Sequence, residues 1–247
     1  MNIQSQKFPA VSITIGIMTL AVVLLAISSS GAPTTPKKEI GHWIEALDPL
    51  QHPGGIGSEK DLAQGRFLVA SRKLKDPNFH KTVVLLLRYG QDGASGLVIN
   101  RPLTVKLSTL LPEIKDSKHR DKHLYLGGPV EPNKIVLLVK SATPPPESLP
   151  VFRDVYVSSS HEDLQRLINS TSKDDKFKIF AGYAGWAPRQ LEAERERGDW
   201  HVFKADAETV FDKKFSEIWQ ELIHRLKTNW VRLKPKDGSV IQKFNHS

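Results

Sequence analysis

The residues best able to do chemistry sit in three short clusters that combine glycine or proline with a polar or aromatic side chain. Asn100-Arg101-Pro102 sets an amide and a guanidinium at the end of an apolar run, with the fixed φ of proline behind them. An arginine held this way can offer a two-pronged donor to a carboxylate or phosphate. The same arginine can instead hydrogen-bond loop carbonyls, and this simpler use is slightly favoured. Gly127-Gly128-Pro129 permits unusual backbone angles and close approach, so it could turn its amides toward an anion or merely close a strand-end turn. No Lys-Ser or Lys-Thr pair follows it, so it is not a P-loop. The best single candidate is Gly182-Tyr183-Ala184-Gly185-Trp186, which reads as the joint between a strand and a helix begun by Pro188. A helix start offers free amides, Tyr183 and Trp186 could stack on a ring or base, and Glu192 could serve as acid, base or acceptor. The competing account packs both aromatics into the corner and pairs Glu192 with Arg189 or Arg195, and it carries more weight.

Other chemistries find no support in the residue inventory. With no cysteine in 247 residues there is no disulfide, thiolate metal site or cysteine nucleophile. Gly93-Ala94-Ser95-Gly96 is not a nucleophile elbow, because glycine follows the serine directly. His-Glu-x-x-His, EF-hand and dinucleotide patterns are missing, and His80, His123, His161 and His224 are scattered, so neither a metal nor a cofactor is expected. The net charge of +8 suits anionic surfaces, and much of it lies in a basic C-terminal tail, residues 231–247. Such a tail is more often a solvated feature than a binding site. No helix-turn-helix is evident, since the best helix spends its aromatic face on packing.

The elements that must position these clusters follow from periodicity. Arg66–Ala70, Thr82–Arg88 and Gly96–Asn100 read as strands, the last two as an antiparallel pair. Leu107, Leu110 and Leu111 suggest a short helix stopped by Pro112, followed by strands at 124–126 and 135–139. Beyond Pro144-Pro145-Pro146, a strand over 152–157 leads to a helix over 161–169, whose Ser160 and Asp163 have capping-box-like spacing. Phe177–Ala181 and Trp200–Phe203 complete the strands, with a helix from Pro188 to a stop near Gly198 between them. One long amphipathic helix then carries Phe211, Phe215, Ile218, Trp219, Leu222, Ile223 and Leu226. Helices inserted irregularly among many strands predict an α+β class: a mixed, curved sheet packed against several helices.

Residues 1–30 form a hydrophobic anchor or signal segment, since Phe8 to Pro36 holds no charged side chain and Val11–Ile27 is almost wholly apolar. At about 1.5 Å per residue this run approaches a membrane span, which favours an uncleaved single-pass anchor over export after signal cleavage. Residues 31–57 read as a linker with a short amphipathic helix through Ile40, Trp43, Ile44 and Leu47, and residues 58–230 as the folded domain.

Four segments of that domain resemble the AlgH/YqgE family: Gly65-Arg-Phe-Leu-Val-Ala with Asp76-Pro-Asn-Phe and Lys81-Thr-Val-Val-Leu-Leu; Gly96-Leu-Val-Ile-Asn-Arg-Pro; Gly127-Gly-Pro-Val; and Gly182-Tyr-Ala-Gly-Trp-Ala-Pro-Arg-Gln-Leu-Glu. The similarity runs from about Asp61 to about Leu226. It implies an α+β fold with curved, branching sheets against several helices; the family has no established general activity, and some members carry the label of transcriptional regulator. Ala187 and Arg189 stand where glycines are common in similar sequences, and the N-terminal apolar segment is an addition.

The functional expectation is a non-catalytic binding or regulatory module held at a membrane through residues 8–30 unless these are cleaved. Its candidate surface for a protein or small anionic ligand comprises Asn100, Arg101, Gly127, Gly128, Tyr183, Trp186 and Glu192. One alternative is an enzyme or binder acting on a phosphate-containing or other anionic small molecule, with Arg101 positioning and Glu192 as acid or base. The other is nucleic-acid binding through the basic tail.

Overall fold

Runs of valine, leucine and phenylalanine bounded by glycine or proline build most of the molecule, because a strand apolar on both faces is stable only when covered on both. The computed structural model describes residues 61–111, 114, 118–170 and 175–232. Its strands are β1 (Arg66–Ala70), β2 (Val83–Gly90), β3 (Gly93–Val98), β4 (Pro102–Lys106), β5 (His123–Leu126), β6 (Val130–Lys140), β7 (Ser148–Phe152), β8 (Val155–Ser158), β9 (Lys176–Trp186) and β10 (Trp200–Lys204). Its helices are α1 (Leu107–Leu110), α2 (His161–Asn169), α3 (Gln190–Glu196), α4 (Ala207–Phe211) and α5 (Phe215–Arg232). The α+β class holds.

The main path of the sheet runs β10-β1-β2-β3-β9-β6-β8-β7, antiparallel throughout. Strand β9 organises the rest. One of its edges pairs with β6, while the other is shared: Ala184–Trp186 pair with β3, and Ile179–Ala181 pair in parallel with β5, which in turn pairs with β4. This parallel pair makes the sheet mixed, as expected.

Two apolar clusters lie on this frame. The larger gathers Phe67, Leu68, Leu85, Leu86, Leu97 and Phe180 with Ile218, Leu222 and Ile223 of α5. Trp219 seals that contact, its indole N–H donating to the Ala70 carbonyl at 2.7 Å. The smaller packs Leu164, Leu167 and Ile168 of α2 against Leu124, Leu137, Phe177 and Ile179. Ser160 caps α2, accepting from the Asp163 N–H. The fully buried Asp163 carboxylate does not reach back to the Ser160 amide; it accepts from the Ser158 hydroxyl at 2.7 Å, and Ser158 Oγ accepts from that amide at 3.0 Å. The capping box is thus relayed through one extra serine.

Several sequence expectations are corrected. The single strand over 152–157 is a hairpin, β7 and β8, turned at Arg153 with φ 45. Pro150 fits within β7 because this is an edge strand, where no partner needs its missing N–H. β4 was not expected, and β9 continues through the glycine-aromatic segment, so Gly182–Trp186 is strand and not a strand–helix joint. The long last helix is two: Phe211 belongs to α4, capped by Asp206, and Phe215 is 42% exposed at the start of α5. The expected single-pass membrane location is also corrected: among the described residues no helix is long and apolar enough to cross a membrane. The apolar run 8–30, the amphipathic helix within 31–57 and the tail beyond Arg232 lie outside the described residues.

Candidate functional site

Asn100 and Arg101 brace a neighbouring loop. The Asn100 side chain accepts from the Val83 N–H at 2.9 Å and donates to the Lys81 carbonyl at 3.0 Å. The Arg101 guanidinium donates to the carbonyls of Asn78 (2.6 Å), Pro77 (3.0 Å) and His80 (3.2 Å). Its fork is committed to loop carbonyls, as the simpler reading held, and partial burial lowers its pKa against the opposing pull of Asp76.

Gly127, Gly128 and Gly182 serve a backbone crossing. A Cβ on Gly127 would stand 2.1 Å from the Gly182 carbonyl oxygen, and one on Gly128 2.3 Å from Tyr183 backbone atoms. The Gly127 amide donates to the Ala181 carbonyl at 2.8 Å, and its carbonyl accepts from the Val98 amide at 2.8 Å, so this segment ties β9 to β3. Both backbone polar groups of Gly127 are thus spent inside the sheet.

Trp186 is buried, in an aromatic group with Phe79 and Trp200. Phe79 stacks on Trp186 with centroids 5.9 Å apart, and Trp200 meets both rings edge-on. Arg101 therefore acts on Trp186 indirectly, by fixing the loop that carries Phe79. Both indole N–H groups donate to Glu194 Oε2, at 2.9 and 2.8 Å, while Gln190 donates to Glu194 Oε1 at 2.9 Å. Glu194, which the sequence reading passed over, is the acceptor of the group. Glu192 instead accepts from the Tyr89 hydroxyl at 2.7 Å; burial, then this bond, pushes Tyr89 up to about 12. Arg101, Trp186 and Glu192 are thus each engaged by a different partner: loop carbonyls, Glu194 and Tyr89.

Tyr183, one of the expected residues, lines a cavity. This pocket holds about 580 Å³ of empty space, counting the part open to solvent, between Leu87, Ser95, Lys134, Val136, Leu149, Val157 and Tyr183, with Glu147, Ser158 and Ser159 also on its wall. Its surface is mainly apolar.

A bulge in β6 shapes the polar end. β6 advances from Val130 to Ile135 while β9 advances only from Tyr183 to Ala181. Glycine at 182, with φ 68, makes room: a Cβ there would lie 2.8 Å from the Val130 oxygen and 3.2 Å from the Pro132 Cα. The bulge carries Glu131, held at φ 44, and Lys134. Glu131 accepts from the Tyr183 hydroxyl at 3.3 Å and lies 3.9 Å from Lys134 Nζ. Burial lowers Lys134 to about 8 despite the Glu131 carboxylate, and burial together with Glu131 pushes Tyr183 up to about 12. At neutral pH this end of the pocket thus offers an ammonium that readily gives up its proton and a phenol that keeps its own. In sequence, 130–134 is only a polar, proline-containing stretch before an apolar strand; the bulge that brings it onto Tyr183 leaves no local signal.

Residues 67–231 match the model of the AlgH-like family. A UPF0301 protein of Chlorobaculum tepidum is 31% identical over 163 residues, 66% of this chain and 86% of that protein. One of Myxococcus xanthus is 38% identical over 163 residues, 65% of this chain and 88% of its own length. Among solved structures, the solution structure of the AlgH protein from Pseudomonas aeruginosa aligns with a TM-score of 0.58 at 30% identity, covering 74% of this chain and 100% of that one. A protein from Corynebacterium diphtheriae aligns with a TM-score of 0.57 at 22% identity, covering 73% of this chain and 92% of that one, a likeness of fold alone.

Proposed function

The chain belongs to the AlgH-like family, and from the pocket at the β6 bulge we propose that it is a binding module for a small molecule with an apolar body and an acceptor-oxygen head, carbonyl or carboxylate. One observation carries this reading: Lys134 and Tyr183 meet at one end of a mainly apolar cavity, both tied to Glu131. An apolar pocket with a few convergent polar groups is the usual form of a small-ligand site. Leu87, Val136, Leu149 and Val157 would cover the body, and the head would draw the buried Lys134 ammonium and the Tyr183 hydroxyl away from Glu131. A carboxylate must share the ammonium with Glu131, whereas a neutral carbonyl meets no such competition.

Phosphate chemistry at Arg101 and Glu192 is the weaker reading, because Arg101 donates to loop carbonyls and Glu192 accepts from Tyr89. The test is thermal denaturation of the full chain with hexanoate, hexanal, hexanol and inorganic phosphate. A ligand at about 100 times its Kd stabilises by roughly 2.7 kcal/mol, which is several degrees for a domain of this size. Stabilisation by hexanoate or hexanal that Lys134→Met abolishes supports the reading. Equal stabilisation of the wild type and Lys134→Met, or none by any of the four, overturns it.

A further inference from the structure

Resting on that binding reading, we propose that β7 is the movable wall of the pocket and that Gln64 is the latch that holds it shut. The apolar side chains that a ligand body would cover are already nearly closed off, Leu87 and Val136 being 7% exposed and Val157 4%. An apolar ligand must displace a wall to reach them. The strands that line the cavity are unequal in their freedom to yield. Residues of β2, β3, β6, β8 and β9 form most of the lining, and each of these strands has a paired neighbour on both edges. β7, which contributes Leu149, ends the sheet and is paired only with β8.

That one ladder is weakened from within. Its register shifts between Pro150 and Phe152, and Pro150 has no N–H to give. From outside the ladder, β7 is held by a side chain. Gln64, just ahead of β1, donates through its side-chain amide to the Pro150 carbonyl at 2.6 Å and to the Val151 carbonyl at 3.3 Å. Gly65 beside it lets the two segments close up, since a Cβ there would stand 3.0 Å from the Phe152 Cβ and 3.1 Å from the Val151 oxygen. The other end of β7 is tied separately, the Ser148 hydroxyl donating to the Pro145 carbonyl at 2.6 Å, and β8 is anchored by the bond from Ser158 to Asp163. Release of Gln64 thus frees the Pro150–Phe152 end while Ser148 stays in place, and the wall at Leu149 lifts. Elements that admit ligands are drawn from the parts of a fold that open below the cost of global unfolding, and a short, irregularly paired edge strand is such a part.

The test is hydrogen–deuterium exchange of the full chain, read by mass spectrometry on peptides covering β7 and, for reference, β1 to β3. In the wild type the β7 amides are expected to exchange through a local opening, well ahead of the reference strands. Gln64→Met keeps the length of the side chain and removes both donated bonds, so it should quicken exchange in β7 by about fivefold or more and leave the reference strands nearly unchanged. Gln64→Glu puts an acceptor where the two carbonyls need a donor and should quicken it at least as much. Hexanoate or hexanal, whichever stabilises the chain, should slow the β7 opening.

Exchange of β7 at the rate of the reference strands would show that it opens only with the whole fold and would overturn the gate, as would equal quickening of every strand by Gln64→Met. So would a ligand that stabilises the chain and leaves the local opening of β7 untouched. In these three cases the binding reading stands. A β7 that opens locally in a chain that neither small molecule stabilises removes the binding reading, and the gate falls with it.

Discussion

Trp186 and Trp200, on different strands, donate to the same oxygen, Glu194 Oε2, at 2.9 and 2.8 Å. Removing that acceptor strands two buried donors at once. Each unsatisfied group costs about 1–3 kcal/mol, so Glu194→Leu should lose roughly 2–6 kcal/mol of unfolding free energy. Glu194→Gln retains an acceptor oxygen and should lose much less. Urea titrations followed by tryptophan fluorescence would measure both; equal losses would mean that the side chain acts through packing alone.

Arg101 predicts an effect at a distance. Its three bonds to the carbonyls of Pro77, Asn78 and His80 hold the loop that seats Phe79 on Trp186. Arg101→Lys keeps the charge but loses the fork, and should cost about 1–3 kcal/mol while red-shifting the tryptophan emission. Hexanoate binding should be unchanged, because the Lys134 pocket is lined by other elements. Loss of ligand binding with intact stability would instead put Arg101 back at a ligand site.

How much of this was legible in the sequence depended on the range of the interaction. Local signals carried: the apolar runs of β1, β2 and β9, the Ser160 cap and the stop at Gly198, with φ 81, are found where spacing placed them. Features set by pairing across the sheet did not. Nothing within 152–157 announces the turn at Arg153, and a helical stripe through Phe211 and Phe215 continues smoothly across the break between α4 and α5. The glycine and tryptophan motifs stand out in the sequence, and in the structure they lie where β9 packs closely against its neighbours. Lys134 and Glu194 went unnoticed because a single charged residue beside an apolar segment looks the same whether it faces solvent, a cavity or two indoles.

The backbone crossing separates two glycines of similar appearance. Gly127→Ala places a Cβ 2.1 Å from the Gly182 carbonyl oxygen, where only backbone could yield, and should cost more than about 3 kcal/mol or prevent folding. Gly185→Ala meets nothing closer than 3.5 Å and should change stability by less than about 1 kcal/mol. Chemical denaturation of the pair, with soluble yield as the readout where Gly127→Ala fails to fold, distinguishes a steric role from a general demand for glycine.

Arg189 caps α3 with φ 65, a conformation that costs an ordinary L-residue about 1–2 kcal/mol. Arg189→Gly should stabilise the chain by roughly 0.5–1 kcal/mol after the entropy that glycine loses on folding. A rise in the urea midpoint at unchanged m-value is the expected result; a fall would mean that the arginine side chain contributes more than the strain it imposes.

Lys134 makes the pH dependence of stability a test of the pocket itself. Its folded pKa of about 8 lies below the ordinary 10.5 because burial penalises the ammonium. Between these values the unfolded chain binds the proton that the folded chain has released, so folding stability rises with pH across that window and the burial penalty is constant below it. Lys134→Met has no ammonium to bury. It should be more stable than the wild type at pH 7, and its advantage should shrink as pH climbs from about 8 toward 10.5. Lys178→Met should behave alike, since burial lowers Lys178 to about 8 as well, so each variant must be compared separately with the wild type. Urea titrations at several pH values across the window, with and without hexanoate, give the decisive pattern. A bound carboxylate stabilises the ammonium and should raise the Lys134 pKa, moving the wild-type rise to higher pH while leaving the Lys178 component in place. A rise that hexanoate does not move, in a chain that hexanoate still stabilises, would place the bound head away from Lys134.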